Sequence, residues 1–248
     1  HAEGPFINPS KKGAQKEECI QKPNAKFLLD NADIIRHVTL APEMDEGHEA
    51  IKEVARNSDI LISMGHTAAG YEEAVADGVS HATHLFNAMT PLAHRDPGVV
   101  GAAFATDVTV ELICDTFHIH PGVFGTVAKL KPGKLCLITD CTRAGGMPDG
   151  EYSLGGQPIY LKGIECRLAD GTIAGSVLKM NIAVRNVLEH TNLSVPEVVA
   201  AASLTPAHAI KAYNKGSLKV GCDADIVIAD EKFNIKRTIK KGNTIYEA

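Results

Sequence analysis

No uninterrupted stretch of about 20 apolar residues occurs in the chain, so nothing in it reads as a bilayer-spanning helix. No apolar targeting segment precedes the first motif either. Basic residues are not in excess: 25 Lys and Arg against 30 Asp and Glu leave a formal charge of −5 with no dense basic stripe. That balance speaks against a nucleic-acid partner, while a local pocket can still oppose the global charge and take a small anion. The six cysteines, Cys19, Cys114, Cys136, Cys141, Cys166 and Cys222, contain no C-x-x-C pair. A chain of this length needs no disulfide staples, so they read as free thiols of a reducing cytoplasm. Internal repeats and low-complexity tracts are also missing. What remains is 248 residues, 44% hydrophobic, enough for one large domain or a large domain with a small companion.

The first residues, HAEGPF at 1–6, are polar and functional in character, with neither a starting methionine nor a first strand. The chain therefore reads as incomplete at its N-terminus. A polar stretch from Gly13 to Pro23 reads as a surface loop. Residues 34–42 read as a strand ended by Pro42, and 46–58 carry the helical apolar spacing of Ile51, Val54 and Ala55. Residues 59–64 make the next strand, 71–76 a helix, Asp77-Gly78 a turn, and another strand runs up to His84. Further strands are expected over 108–114 and 135–139, with a short helix around 123–129. Short buried strands alternating with helices favour a parallel α/β architecture, and a (β/α)8 barrel lacking its N-terminal part fits better than a dinucleotide fold. After Asp140 the turns at Asp149-Gly150, Gly155-Gly156, Lys162-Gly163 and Asp170-Gly171 mark a β-rich excursion. Helices over 177–189, 196–202 and 205–213 follow, and then short strands at 224–229 and 244–246. The organisation expected is 1–145 barrel, 146–175 β excursion, 176–214 helices on the barrel, and 215–248 part of a small β domain.

The chemistry concentrates in SMGHTAAG at 63–70 and SHATHLFNAM at 80–89, where His66 and His84 each follow a short apolar run. Strand ends in a parallel barrel converge on one face, so residues 18 apart in number (84 − 66) can meet at one ion. Neutral imidazoles suit zinc or ferrous iron, and an anionic oxygen would complete the set. Glu3, stiffened by Gly4-Pro5, is the candidate third ligand, although an ordinary loop acid would look the same. Asp140, after LCLIT at 135–139, is the candidate general base, with a helix cap as its alternative. A carboxylate there can take a proton from water and return it to a leaving amine. His81 should point away from the same site by strand alternation. Asn87, Ala88, Arg95 and His118 form an anion-binding set, the alternative being that Arg95 pairs with Asp96 or solvent. His118 and His120 are alternatively ligands of a second ion.

The ordered set HAEGPF, GHTAA, HATHLFNAM, CDTFHIHP, ITDCTRAGG, DGTIAGS and GCDADIVI resembles the N-acetylglucosamine-6-phosphate deacetylase family of the amidohydrolase superfamily across essentially the whole chain. The resemblance implies a metal-bearing barrel with a small β-sandwich domain assembled from both termini, in a homodimer. It implies Glu3, His66 and His84 as ligands of one divalent metal, zinc or iron, with a second ion possible. Asp140 becomes general base and then general acid, and His118 orients the sugar and polarises the acetyl carbonyl. Asn87, the backbone of Ala88 and Arg95 hold the phosphate, Arg95 reaching across the dimer. The implied reaction converts N-acetyl-D-glucosamine 6-phosphate to D-glucosamine 6-phosphate and acetate. Departures are Thr116 where the family has glycine, Cys141 where alanine is common, and a shorter segment over 73–79. Two rivals stand beside that reading: a deacetylase for a non-phosphorylated amino sugar, and an inactive truncated scaffold.

Overall fold

The computed structural model describes residues 1–248. Six strands run parallel in one sheet whose spatial order follows the chain: β1 Ala2–Glu3, β2 His37–Leu40, β3 Leu61–Met64, β4 His81–Ala82, β5 Thr109–Ile113 and β6 Leu135–Ile138. A helix lies between each successive pair: α1 Ala25–Asp30, α2 Glu49–Asn57, α3 Tyr71–Ala74, α4 Gly98–Ala105 and α5 Phe124–Leu130. In-order parallel strands with intervening helices are the wall of a (β/α)8-type barrel. The chain does open on a strand, contrary to the expectation from its polar start. Ala2 pairs with Val38 and Glu3 with Thr39, a two-residue strand that exists only because β2 supplies its partner.

The strand β2 shows how the wall is made. Val38 and Leu40 pack with Leu28, Ile51 and Val54 of α1 and α2, while His37 and Thr39 meet the side chains of His1, His81, Thr83 and Glu111 on the barrel side. All four are buried, as parallel strands covered on both faces must be. The largest core cluster joins Val110 and Leu112 of β5 and Leu137 of β6 to α4, α5 and the later helices α6 Met180–His190 and α7 Val195–Ala202. Burying each large aliphatic side chain there contributes about 1.5–3 kcal/mol. Ser194 and Glu197 form a capping box at the start of α7, where Pro196 sits in the first turn, and α8 Leu204–Ala209 follows. No helix is long and apolar enough to cross a membrane.

Two antiparallel sheets complete the fold. The first, β7 Gly150–Leu154, β8 Gln157–Lys162 and β9 Glu165–Arg167, buries Ile159 and Leu161 against Ala144, Cys166 and Ala174. The second, β10 Ile226–Ala229, β11 Ile235–Lys240 and β12 Asn243–Glu247, is mostly exposed. Its middle strand was not expected, because Lys236, Arg237 and Lys240 interrupt the apolar pattern of that segment.

Candidate active site

His66, His84 and Asp140 each lie two residues beyond the end of their strand, β3, β4 and β6 respectively. All three have left-handed backbones, with φ of 48°, 29° and 50°. For residues with a Cβ that conformation costs on the order of 1–3 kcal/mol, and it persists only where neighbours hold it. They do. The His66 carbonyl accepts from the Asn8 N–H (2.9 Å), the Asp140 carbonyl from the Ser176 N–H (2.8 Å), and the His84 N–H donates to Glu111 Oε2 (3.2 Å). Gly65 allows the approach to His66: a Cβ there would stand 2.7 Å from Thr39 Cγ2 and 2.9 Å from Thr83 Cβ.

The turns at His66 and His84 bring two ligand atoms together with that of Glu3 at the end of β1. His66 Nε2 is 2.9 Å from Glu3 Oε1 and 3.1 Å from His84 Nε2, which is 3.8 Å from Glu3 Oε1. The His66 Nδ1–H donates to the Lys11 carbonyl at 2.7 Å, and since a carbonyl only accepts, a neutral His66 presents a lone pair at Nε2. Lone pairs of two imidazoles and a carboxylate thus converge, which is a donor set suited to a divalent ion. The field of the site agrees. Burial opposes the charge of Glu3, yet hydrogen bonds and the charges of His66 and His84 hold its carboxyl well below the usual range. His84 is pushed down by burial but raised to about 9 by Glu3, then Asp140 and Glu111, so that without an ion the centre keeps a proton where a cation would sit. His84 Nδ1 is buried with no protein partner.

The three ligands line a cavity of about 740 Å³ that also takes in Asp140, His118, Asn87 and Ala88. Burial and then the charge of Glu3 push Asp140 up to about 6, against the opposing effect of His84 and His118. That places its titration near the working range of a general base. His118 is held by Asp115, whose Oδ2 lies 2.6 Å from His118 Nδ1. The polar stretch 13–23, expected as a surface loop, is in part a cavity wall: Gly13, Ala14, Gln15, Lys16 and Cys19 line it. Gln157, past the β7–β8 turn, donates to the Ala14 carbonyl (2.8 Å) and holds the β excursion over the same opening. Arg95 is exposed on the loop between β4 and α4 and does not line the cavity.

His118 and His120 do not come together as a second set of ligands. His118 Nδ1 is engaged by Asp115, and His120 Nδ1 accepts the N–H of Gly122 in a 3-10 turn. A second group of convergent ligand atoms lies elsewhere, at His37, His81 and Glu111. Sequence reasoning did not single out Asp115, Glu111 or the Lys11 carbonyl. The Asp115-to-His118 spacing of three is the one signal that pointed to the first of them; a backbone carbonyl leaves none.

The profile of the amidohydrolase family matches residues 1–245. The chain is 42% identical over 257 residues to an N-acetylglucosamine-6-phosphate deacetylase of Bacillus subtilis, covering 99% of this chain and 64% of that one. It is 41% identical over 251 residues to the enzyme of that name from Lysinibacillus sphaericus, covering 98% and 65%. The chain therefore spans a little under two thirds of the length of these curated relatives. Among solved structures, the N-acetylglucosamine-6-phosphate deacetylase of Thermotoga maritima superposes with a TM-score of 0.93 at 34% identity, over 100% of this chain and 69% of that one. By profile, sequence and fold together, this chain belongs to the amidohydrolase family and is a homologue of its N-acetylglucosamine-6-phosphate deacetylases.

Proposed function

We propose that the chain carries the catalytic centre of a deacetylase that hydrolyses the acetamide of N-acetyl-D-glucosamine 6-phosphate to D-glucosamine 6-phosphate and acetate. The observation that carries this reading is the convergence of the Glu3, His66 and His84 ligand atoms in one cavity with a carboxyl, Asp140, whose pKa is raised to about 6. A divalent ion, zinc or ferrous iron, held by Glu3, His66 and His84 would polarise the carbonyl and acidify water. Asp140 accepts the proton of the attacking water and returns it to the nitrogen as the C–N bond breaks. His118, its Nδ1 tied to Asp115, directs Nε2 toward the sugar and the acetyl oxygen. Asn87 and the backbone N–H of Ala88 bind the phosphate, joined by Arg95 from the neighbouring subunit of a homodimer. Six free cysteines accord with the cytoplasmic location we assign.

The exposure of Arg95 outside the cavity favours one second reading, a deacetylase for an amino sugar without phosphate. Acetate release from N-acetylglucosamine with and without the 6-phosphate separates the two. Turnover of the phosphorylated sugar alone is expected. Equal rates would reject phosphate recognition, and no release from either by metal-loaded protein would leave the scaffold reading.

A further inference from the structure

Three titratable side chains meet inside the barrel that the reaction above does not use. His37 and His81 are the first residues of β2 and β4, and Glu111 is the middle residue of β5. Their exposures are 6%, 2% and 7%. His81 Nε2 lies 3.1 Å, and His37 Nδ1 3.9 Å, from the same Glu111 Oε1. Next to them Thr39 of β2, Ser63 of β3 and Thr83 just past β4 exchange hydroxyl hydrogen bonds of 2.7 and 2.5 Å.

The ligand atoms face one another with little else to occupy them. His81 Nδ1 contacts the Thr109 hydroxyl, which also lies 3.4 Å from the Ser80 carbonyl. In the tautomer that donates Nδ1–H to Thr109, His81 turns its Nε2 lone pair toward Glu111, as a metal ligand does. A cation seated there replaces the proton that the imidazole and the carboxylate otherwise share. Burial pushes His37 down to about 4 despite the Glu111 charge, so its ring is neutral and able to ligate. Its Nε2 is buried with no partner at all. Two imidazoles and a carboxylate with all three ligand atoms within 4.8 Å are the donors and spacing of a zinc-type site.

We propose that His37, His81 and Glu111 form a second divalent-cation site in the barrel interior, distinct from Glu3, His66 and His84, that takes zinc or ferrous iron as a structural ion. Glu111 connects the two centres. Its Oε1 faces the interior histidines while its Oε2 accepts the N–H of His84, so an ion bound to Glu111 stiffens the left-handed turn that presents His84.

Counting ions tests this directly. The purified chain is stripped with a chelator, reloaded with zinc alone, desalted and analysed for metal. About two zinc ions per chain are expected for the parent, about one each for His66→Ala and His37→Ala, and none for the double variant. Cobalt loaded into His66→Ala should still give d–d absorption, because the interior ligands are intact. One ion in the parent with none in His66→Ala would overturn the proposal, the interior group then being an imidazolium–carboxylate pair. Two ions retained by His37→Ala would overturn it equally. Should His37→Ala fail to fold, the His66→Ala count decides alone. Loss of the deacetylase reading would look different, as two bound ions without acetate release.

Discussion

Asp115 grips His118 at three points: Oδ2 accepts the ring Nδ1–H at 2.6 Å, and Oδ1 accepts the backbone N–H of His118 at 2.8 Å and of Phe117 at 2.9 Å. Burial alone would raise the Asp115 carboxyl, but these contacts lower it below its ordinary value, so it stays ionised and dictates which nitrogen of His118 carries the proton. Asp115→Asn keeps the shape and can offer an N–H to the ring, favouring the other tautomer. We expect kcat to fall by roughly 10²–10⁴-fold with zinc content unchanged, as for other histidines whose orienting carboxylate is replaced by an amide. An unaltered kcat would remove His118 from the chemistry.

Asp140 links activity to stability with opposite signs. Its folded pKa of about 6 lies above the ordinary value of 3.8, so the folded chain holds more protons than the unfolded chain between those values. Stability is therefore lost as pH rises from near 3.8 through 6, by about 3 kcal/mol at neutral pH for a shift of this size. In metal-stripped protein, Asp140→Asn should raise the denaturation midpoint at pH 7 and lose the advantage near pH 3.5. In metal-loaded protein the same change should lower kcat by roughly 10²–10⁴-fold with the ion retained. Full turnover of the variant would end the assignment of Asp140 as general base.

Thr116 is a β-branched residue at φ 68°, two residues before His118. Glycine, which the family resemblance expects here, adopts that backbone without a Cβ clash. Relief of left-handed strain outweighs the added chain entropy of glycine, so Thr116→Gly should stabilise by about 1 kcal/mol, read as a higher Tm. A lower Tm would show that the threonine side chain contributes packing worth more than its strain.

Arg95, exposed in one subunit, is expected to act on the phosphate of its neighbour's substrate. Arg95→Ala should raise KM by about 10²-fold while kcat changes little, the signature of a charge-assisted contact made equally before and during reaction. Mixing it with Asp140→Asn protein should restore activity, because one site of each mixed dimer then has both residues intact. No restoration despite measured subunit exchange would place Arg95 within its own subunit, and an unchanged KM would favour the substrate without phosphate.

How much was legible depended on whether the signal was local. His66, His84 and Asp140 could be found because each directly follows a short apolar strand, and strand ends in a parallel barrel share one face. The helix α4 could not, since GVVGAAFA is buried through most of its length and so shows no one-sided apolar stripe. Strand β1 could not either, because two residues carry no alternation. The cavity wall at 13–19 looked like a solvated loop because its polar side chains face a ligand-sized space, which in composition resembles facing water.

The alternation of most strands and helices, the barrel class and the donors His66, His84 and Asp140 were determined by the chain itself, through apolar periodicity and the chemistry of histidine and carboxylate at strand ends. Tertiary structure alone decided which donors meet and in what protonation. Left-handed turns at His66, His84 and Asp140 are stable only under contacts from Asn8, Glu111 and Ser176, segments far away in sequence. The pairing of Asp115 with His118, the gathering of His37, His81 and Glu111, and the rise of Asp140 toward 6 follow from burial and from charges a few ångströms away. Those distances are properties of packing, and no one-dimensional pattern encodes them.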